Sequence, residues 1–122
     1  MSASVPRTLL LGYGNPGRLD DGLGPALAER IAQRGVAGVT VETDYQLQVE
    51  DAARIAEHDI VIFADATVKG PEAFTLRPVK PMGEISFSTH SVSPGALLAL
   101  ARDHFHSEAE GWMLAIHGTE FN

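Results

Sequence analysis

Thr8-Leu9-Leu10-Leu11-Gly12-Tyr13-Gly14-Asn15-Pro16-Gly17-Arg18-Leu19-Asp20-Asp21-Gly22 opens on a wholly apolar run and closes on two adjacent acids. A short continuous apolar run is what a strand buried on both faces requires, so Thr8 to Gly12 is predicted as a first strand. The strand empties into a glycine-rich turn, and the turn leads into a helical pattern. Such a turn after a first strand usually signals phosphate binding. Here Asp20 and Asp21 stand where a phosphate would sit, and they point to a cation instead.

Working outward, Asp20 or Asp21 is expected to cap the next helix, with Pro25 in its first turn. Leu23, Leu27 and Ile31 recur every four residues and define its buried face, and Gly35 is its C-terminal stop. Val39 and Val41 alternate with Thr40 and Glu42 as a second strand. A weaker helix spans about Val49 to Glu57, with Val49, Ala52, Ala53 and Ala56 inward. Ile60-Val61-Ile62-Phe63-Ala64-Asp65 is the clearest central strand, and Asp65 is expected as its last residue. Phe74 to Arg77 has the pattern of an edge strand among prolines.

Residues 84–92 alternate weakly and contain His90. Ser93-Pro94 is an N-cap followed by proline, and Leu97, Leu98, Ala101 and Phe105 form the apolar face of the helix behind it. Trp112 to His117 completes the set as a last strand. This alternation predicts an α/β fold: a three-layer αβα arrangement around a mostly parallel twisted sheet of about five strands. The chain stops at Asn122, shortly after that strand, where such a sheet normally carries a further covering helix. A C-terminal helix is therefore expected to be missing, and residues 1–122 to form a single, C-terminally incomplete domain.

The composition narrows the chemistry. The 122 residues are 44% hydrophobic, enough for one modest core. No cysteine is present, which excludes disulfides, thiolate metal sites and cysteine nucleophiles. Nine Lys and Arg against sixteen Asp and Glu give a net charge of −7, a poor match for nucleic acid or an anionic membrane. No apolar run approaches a membrane span and residues 1–6 do not resemble a signal peptide, so a cytoplasmic location is expected.

Gly12-x-Gly14-x-x-Gly17 matches the dinucleotide fingerprint literally. That fingerprint needs the helix N-terminus free for pyrophosphate, which Asp20 and Asp21 would repel. Gly14-Asn15-Pro16-Gly17 also resembles the opening of peptidyl-tRNA hydrolase. That family continues into a segment carrying its catalytic histidine, whereas the first histidine here is His58.

A third resemblance covers far more of the chain. Leu10-Leu11-Gly12-Tyr13-Gly14-Asn15 with Asp20-Asp21-Gly22-Leu23-Gly24 resembles the N-terminal motif of the [NiFe]-hydrogenase maturation proteases. Ile62-Phe63-Ala64-Asp65-Ala66 resembles their second motif and Ser88-Thr89-His90-Ser91 their third, in the same order and spacing. The resemblance implies an endopeptidase that removes the C-terminal extension of the nickel-loaded hydrogenase large-subunit precursor. It implies metal ligands and catalytic residues at Asp21, Asp65 and His90, with nickel supplied by the precursor and other divalent metals able to substitute.

Gly14 and Asn15 then shape the loop around Asp21, and Asn15 is a candidate hydrogen-bonding partner of the substrate. Asp44-Tyr45-Gln46-Leu47-Gln48 replaces the family's usual Gly-Gly-Thr loop, a substrate-recognising region, which makes Asp44 and Gln46 further substrate-binding candidates. The expected partner is the large-subunit precursor, with no nucleic acid and no membrane. The alternatives are a peptidyl-tRNA hydrolase-like esterase and a non-catalytic hydrogenase-binding module of the same fold.

The residues agree independently with a cation site. Ligands of open parallel sheets bind beyond the carboxyl ends of the strands. Asp21 follows the first strand, Asp65 ends the central one, and His90 precedes a helix, so all three are expected on one rim. Two carboxylates and an imidazole suit a divalent transition metal with positions left open for water or substrate. Asp20 is expected as a helix cap, His104 and His106 as surface residues, and His117 as structural or in support of the ligands.

Overall fold

The computed structural model describes residues 5–15, 17, 19–68, 70–82 and 92–118. Five strands form one sheet: β1 (Thr8–Tyr13), β2 (Val39–Asp44), β3 (Ile60–Thr67), β4 (Phe74–Val79) and β5 (Glu110–His117). The strand order is β2-β1-β3-β5-β4. β1 pairs in parallel with β2 and β3, β3 in parallel with β5, and only β4 runs antiparallel. Pro78 lies within β4, where an edge position spares the ladder the N–H that proline lacks.

The apolar run of β1 divides between two cores because successive side chains point to opposite faces. Leu9 and Leu11 join Val61 and Phe63 against Ile55, Leu97, Leu98 and Ala101, which belong to helices α2 (Asp51–Ala56) and α3 (Pro94–Phe105). Leu10 and Ala64 instead meet Ala28, Leu27 and Ile31 of α1 (Leu23–Arg34). The predicted three-layer αβα arrangement is therefore present. Beyond α1 the same sheet face continues over β5 and β4 as an open apolar groove of about 540 Å³, bordered by Leu23, Leu27, Phe74, Leu114 and Ile116. No helix among the described residues is long and apolar enough to cross a membrane.

Several local expectations are corrected. Asp20 and Asp21 do not occupy the N-cap of α1. They lie in a 3-10 turn, Leu19–Gly22, and Gly22 takes the cap position. β3 extends two residues past Asp65 to Thr67 because β5 pairs with it that far. α2 buries Asp51, Ala52 and Ile55, while Val49 and Ala53 are exposed. Asp51 goes inward because its carboxylate is satisfied locally: Oδ2 accepts the Gln48 N–H at 2.9 Å and Oδ1 accepts from Arg54 at 3.1 Å. Phe105, at the last turn of α3, is half exposed.

Ser93 caps α3 as expected, its Oγ accepting the Ala96 N–H at 3.1 Å, with Pro94 next in sequence. Ser93→Ala should lower stability by about 1 kcal/mol, the usual cost of an N-cap, and leave the spectrum of the folded chain unchanged. Urea unfolding followed by circular dichroism measures it. A loss below the fitting error would mean that the cap is replaceable.

Candidate functional site

The first acid is placed by packing of glycine backbones. A side chain on Gly12 would lie 2.7 Å from the Ala28 Cβ, and one on Gly24 would collide with the Ala64 carbonyl oxygen. Their absence lets α1 settle directly on β1 and β3. The 3-10 turn that precedes α1 is thereby pulled against the end of β1. Gly14 has φ +141°, and a Cβ there would overlap the backbone carbonyl of Asp21. Its N–H donates to the Asp44 carbonyl at 3.0 Å, tying the loop to the end of β2. The Asn15 N–H donates to Asp21 Oδ2 at 2.9 Å, which orients that half-buried carboxylate.

The second acid comes from β3. Asp65 is half-buried and its Oδ1 accepts the Ala66 N–H at 2.8 Å. Burial pushes its pKa above the ordinary carboxylate value. The Ala66 N–H opposes this, the negative charge of Asp21 pushes in the same direction as burial, and a hydrogen bond from Tyr13 opposes it. Asp21 and Asp65 thus lie close enough for one charge to act on the other. This is the arrangement expected of a carboxylate pair that favours a bound cation or a retained proton.

Tyr13 was not anticipated as part of this site. It is the last residue of β1, and its hydroxyl donates to the Asp65 carboxylate. Burial first, then the Asp65 charge and this bond, raise the phenol well above its usual pKa, so it stays a donor. The signal lay in the strand register. Gly12 pairs with Ala64, which puts Tyr13 beside Asp65 at the carboxyl end of the sheet.

The remaining candidates divide. His90 lies outside the described residues. Asn15 Oδ1 accepts the Gly17 N–H at 2.9 Å, so that oxygen serves the turn. Asp44 ends β2 with Oδ1 accepting from the Tyr45 N–H at 2.7 Å and Oδ2 from Gln48 Nε2 at 3.1 Å. It borders a cavity of about 360 Å³ that Gly14 and Gly22 also line. Gln46 is exposed and does not line that cavity. Among the described residues no three His, Asp or Glu side chains gather to hold a metal. His117 ends β5 opposite Thr67, and its buried Nδ1 has no hydrogen-bond partner among the described residues.

No protein-family model and no curated protein matches the chain in sequence. Solved structures do match it in shape. The [NiFe] hydrogenase maturation protease HycI from Thermococcus kodakarensis superposes with a TM-score of 0.73 at 23% identity, over 96% of this chain and 77% of that one. The hydrogenase maturating endopeptidase HybD from E. coli gives 0.67 at 18% identity, over 95% and 76%. The hydrogenase 2 maturation peptidase of a Thaumarchaeota archaeon gives 0.65 at 22% identity, over 95% and 82%. In its strand order and overall shape, the chain has the fold of the [NiFe]-hydrogenase maturation proteases.

Proposed function

We propose that the chain is a maturation endopeptidase that removes the C-terminal extension of a [NiFe]-hydrogenase large-subunit precursor after nickel has been inserted. The observation that carries this reading is that the Asp21 charge acts on Asp65 near the carboxyl end of the sheet, on a fold shared with solved maturation proteases. The motif resemblance supplies His90 as the third member of the set.

The donor chemistry fits a divalent cation. A positive ion would stabilise Asp65 as a carboxylate against its burial and the Asp21 charge, and an imidazole would complete a borderline-hard ligand set. The nickel is read here as part of the substrate. A cation at this rim supplies polarisation of the scissile carbonyl and of the attacking water. The chain's own groups do the rest. Asp21 is oriented by the Asn15 N–H, and Asp65 is held by the Ala66 N–H and the Tyr13 hydroxyl, so both carboxylates meet the precursor in fixed positions. Holding the tail against them converts hydrolysis of a flexible extension into a positioned reaction.

The test uses two precursors, one loaded with nickel and one free of it. Each is incubated with the protein and weighed by mass spectrometry. Cleavage of the loaded form alone is the expected result. Equal cleavage of both would remove nickel from recognition, and binding without cleavage of either would reduce the chain to a hydrogenase-binding module.

A further inference from the structure

We propose that His117 is a positioning residue for the polypeptide being processed, its Nε2–H donating to a main-chain carbonyl of the precursor about two to three residues from the scissile bond. The inference rests on the endopeptidase reading above, and it adds a substrate contact which that reading does not use.

Strand pairing sets where this side chain stands. Asp65 pairs with Ala115 and Thr67 with His117, so His117 lies on the strand beside Asp65, two residues nearer the carboxyl end of the sheet. Paired residues share a face of the sheet, and so do residues two apart along one strand. His117, Thr67, Asp65 and, by the β1–β3 register, Tyr13 therefore project from one face at one rim. With strands about 4.8 Å apart and about 3.3 Å per residue, the Cα atoms of Asp65 and His117 stand roughly 8 Å from each other. An extended chain with its scissile bond against Asp65 covers that gap in about two to three residues. The backbone under the ring is held on both sides. The His117 N–H donates to the Ala73 carbonyl at 2.8 Å, and the Gly118 N–H to the Thr67 carbonyl at 2.9 Å.

The two ring nitrogens differ. Nδ1 is buried and has no hydrogen-bond partner among the described residues. A proton placed there would be a buried donor with nothing to receive it, so the proton of the neutral ring belongs on Nε2. Nε2 makes no hydrogen bond among the described residues and is not buried. The residue thus presents one open N–H donor at the rim. A leucine or phenylalanine would fill the same place without an orphaned nitrogen, so packing alone gives no reason for histidine here. A partner arriving at Nε2 does. His117 does not join Asp21 and Asp65 as a metal ligand, because no three His, Asp or Glu side chains gather for one among the described residues. The acid pair, where the Asp21 charge already acts on Asp65, repels an anion. A main-chain carbonyl is the neutral acceptor that any extended polypeptide brings to such a rim.

The test compares His117→Phe, His117→Gln and His117→Asn with the parent, with the nickel-loaded precursor as substrate. Glutamine places a donor where Nε2 stands, whereas asparagine reaches only the place of Nδ1. The phenylalanine variant should raise KM at least about fivefold and keep kcat within about twofold, the mark of a contact made equally in the ground and transition states. It should melt no lower than the parent, since it removes an unpartnered nitrogen. Glutamine should restore most of the KM and asparagine should not. An unchanged KM in the phenylalanine variant, rescue by asparagine alone, or a KM loss that follows a lower melting temperature through all the variants overturns the assignment. Precursor binding is measured on the same preparations by biolayer interferometry. A parent that binds the precursor without cutting it loses the endopeptidase reading; a weaker Kd in the phenylalanine variant, restored by glutamine, then keeps His117, and equal Kd values overturn it. A parent that cuts the precursor while every variant matches its KM loses only His117.

Discussion

Asp65→Asn is expected to lower precursor processing by at least about a hundredfold while leaving the protein as stable at neutral pH as its parent, or more so. The activity loss follows from the removal of one of two carboxylates that would grip the substrate's metal. The stability result is less intuitive. Burial and the neighbouring Asp21 charge outweigh the Ala66 and Tyr13 hydrogen bonds, so the folded pKa of Asp65 lies above its unfolded value. The folded state then binds the proton more tightly than the unfolded chain does. The stabilisation is fully present below the unfolded carboxylate value of about 3.9 and is lost as pH rises through the raised folded value. Asparagine keeps an acceptor for the Ala66 N–H and carries no charge to bury. Its advantage over the parent should therefore open as pH rises from about 4 toward 7. Thermal melts across that range read the electrostatics, and the gel shift of the large subunit reads the activity. Near-normal processing would remove Asp65 from the reaction. A variant that melts lower than its parent at pH 7 but not at pH 4 would show that the carboxylate is comfortable where it sits.

The sheet and its first helix were legible because they are made by burial alone. Leu9, Leu10 and Leu11 face two cores, so no polar residue interrupts the run, and Leu27 and Ile31 repeat at helical spacing because one face of α1 meets the sheet. Elements shaped by polar contacts were harder to read. Asp51 is inward because its carboxylate bonds Gln48 and Arg54, a reason that no hydropathy pattern carries; of the expected inward face Val49, Ala52, Ala53 and Ala56, only Ala52 is among the buried residues of α2. The 3-10 turn was missed for a related reason. Asp20 and Asp21 have the composition of a helix cap, but the Gly14 backbone lies directly against that of Asp21, and the segment forms a tighter turn. Asp21 and Asp65 were candidates from their expected place near strand ends, and the charge of one acts on the other. Tyr13 was not, because its partnership with Asp65 depends on the β1–β3 register. His90 falls outside the described residues, so its part stays with the motif that suggested it.

Gly14→Ala should cost both stability and processing although every acid is left in place. The residue holds φ +141°, which alanine adopts only with strain of about 1–3 kcal/mol. Its new methyl would also overlap the Asp21 backbone carbonyl, with the Pro25 Cδ at 3.7 Å behind it. Neither neighbour can yield cheaply. Asp21 sits in the 3-10 turn that feeds α1, and Pro25 is buried in the first turn of that helix. The loop must therefore part from the turn, which carries the Asn15 N–H away from Asp21 Oδ2 and turns the carboxylate from its place opposite Asp65. Gly35→Ala provides the control. Gly35 also has a positive φ, +60°, at the C-cap of α1, but a Cβ there meets nothing within 4 Å. Alanine at residue 35 should cost about 1 kcal/mol through backbone strain and leave processing intact. If both variants lose stability but only Gly14→Ala loses cleavage, the close approach of two backbones is what places the acid. If both process equally well, the position of Asp21 does not depend on that contact, and the acid pair must be held together by the fit of α1 on the sheet through Gly12 and Gly24.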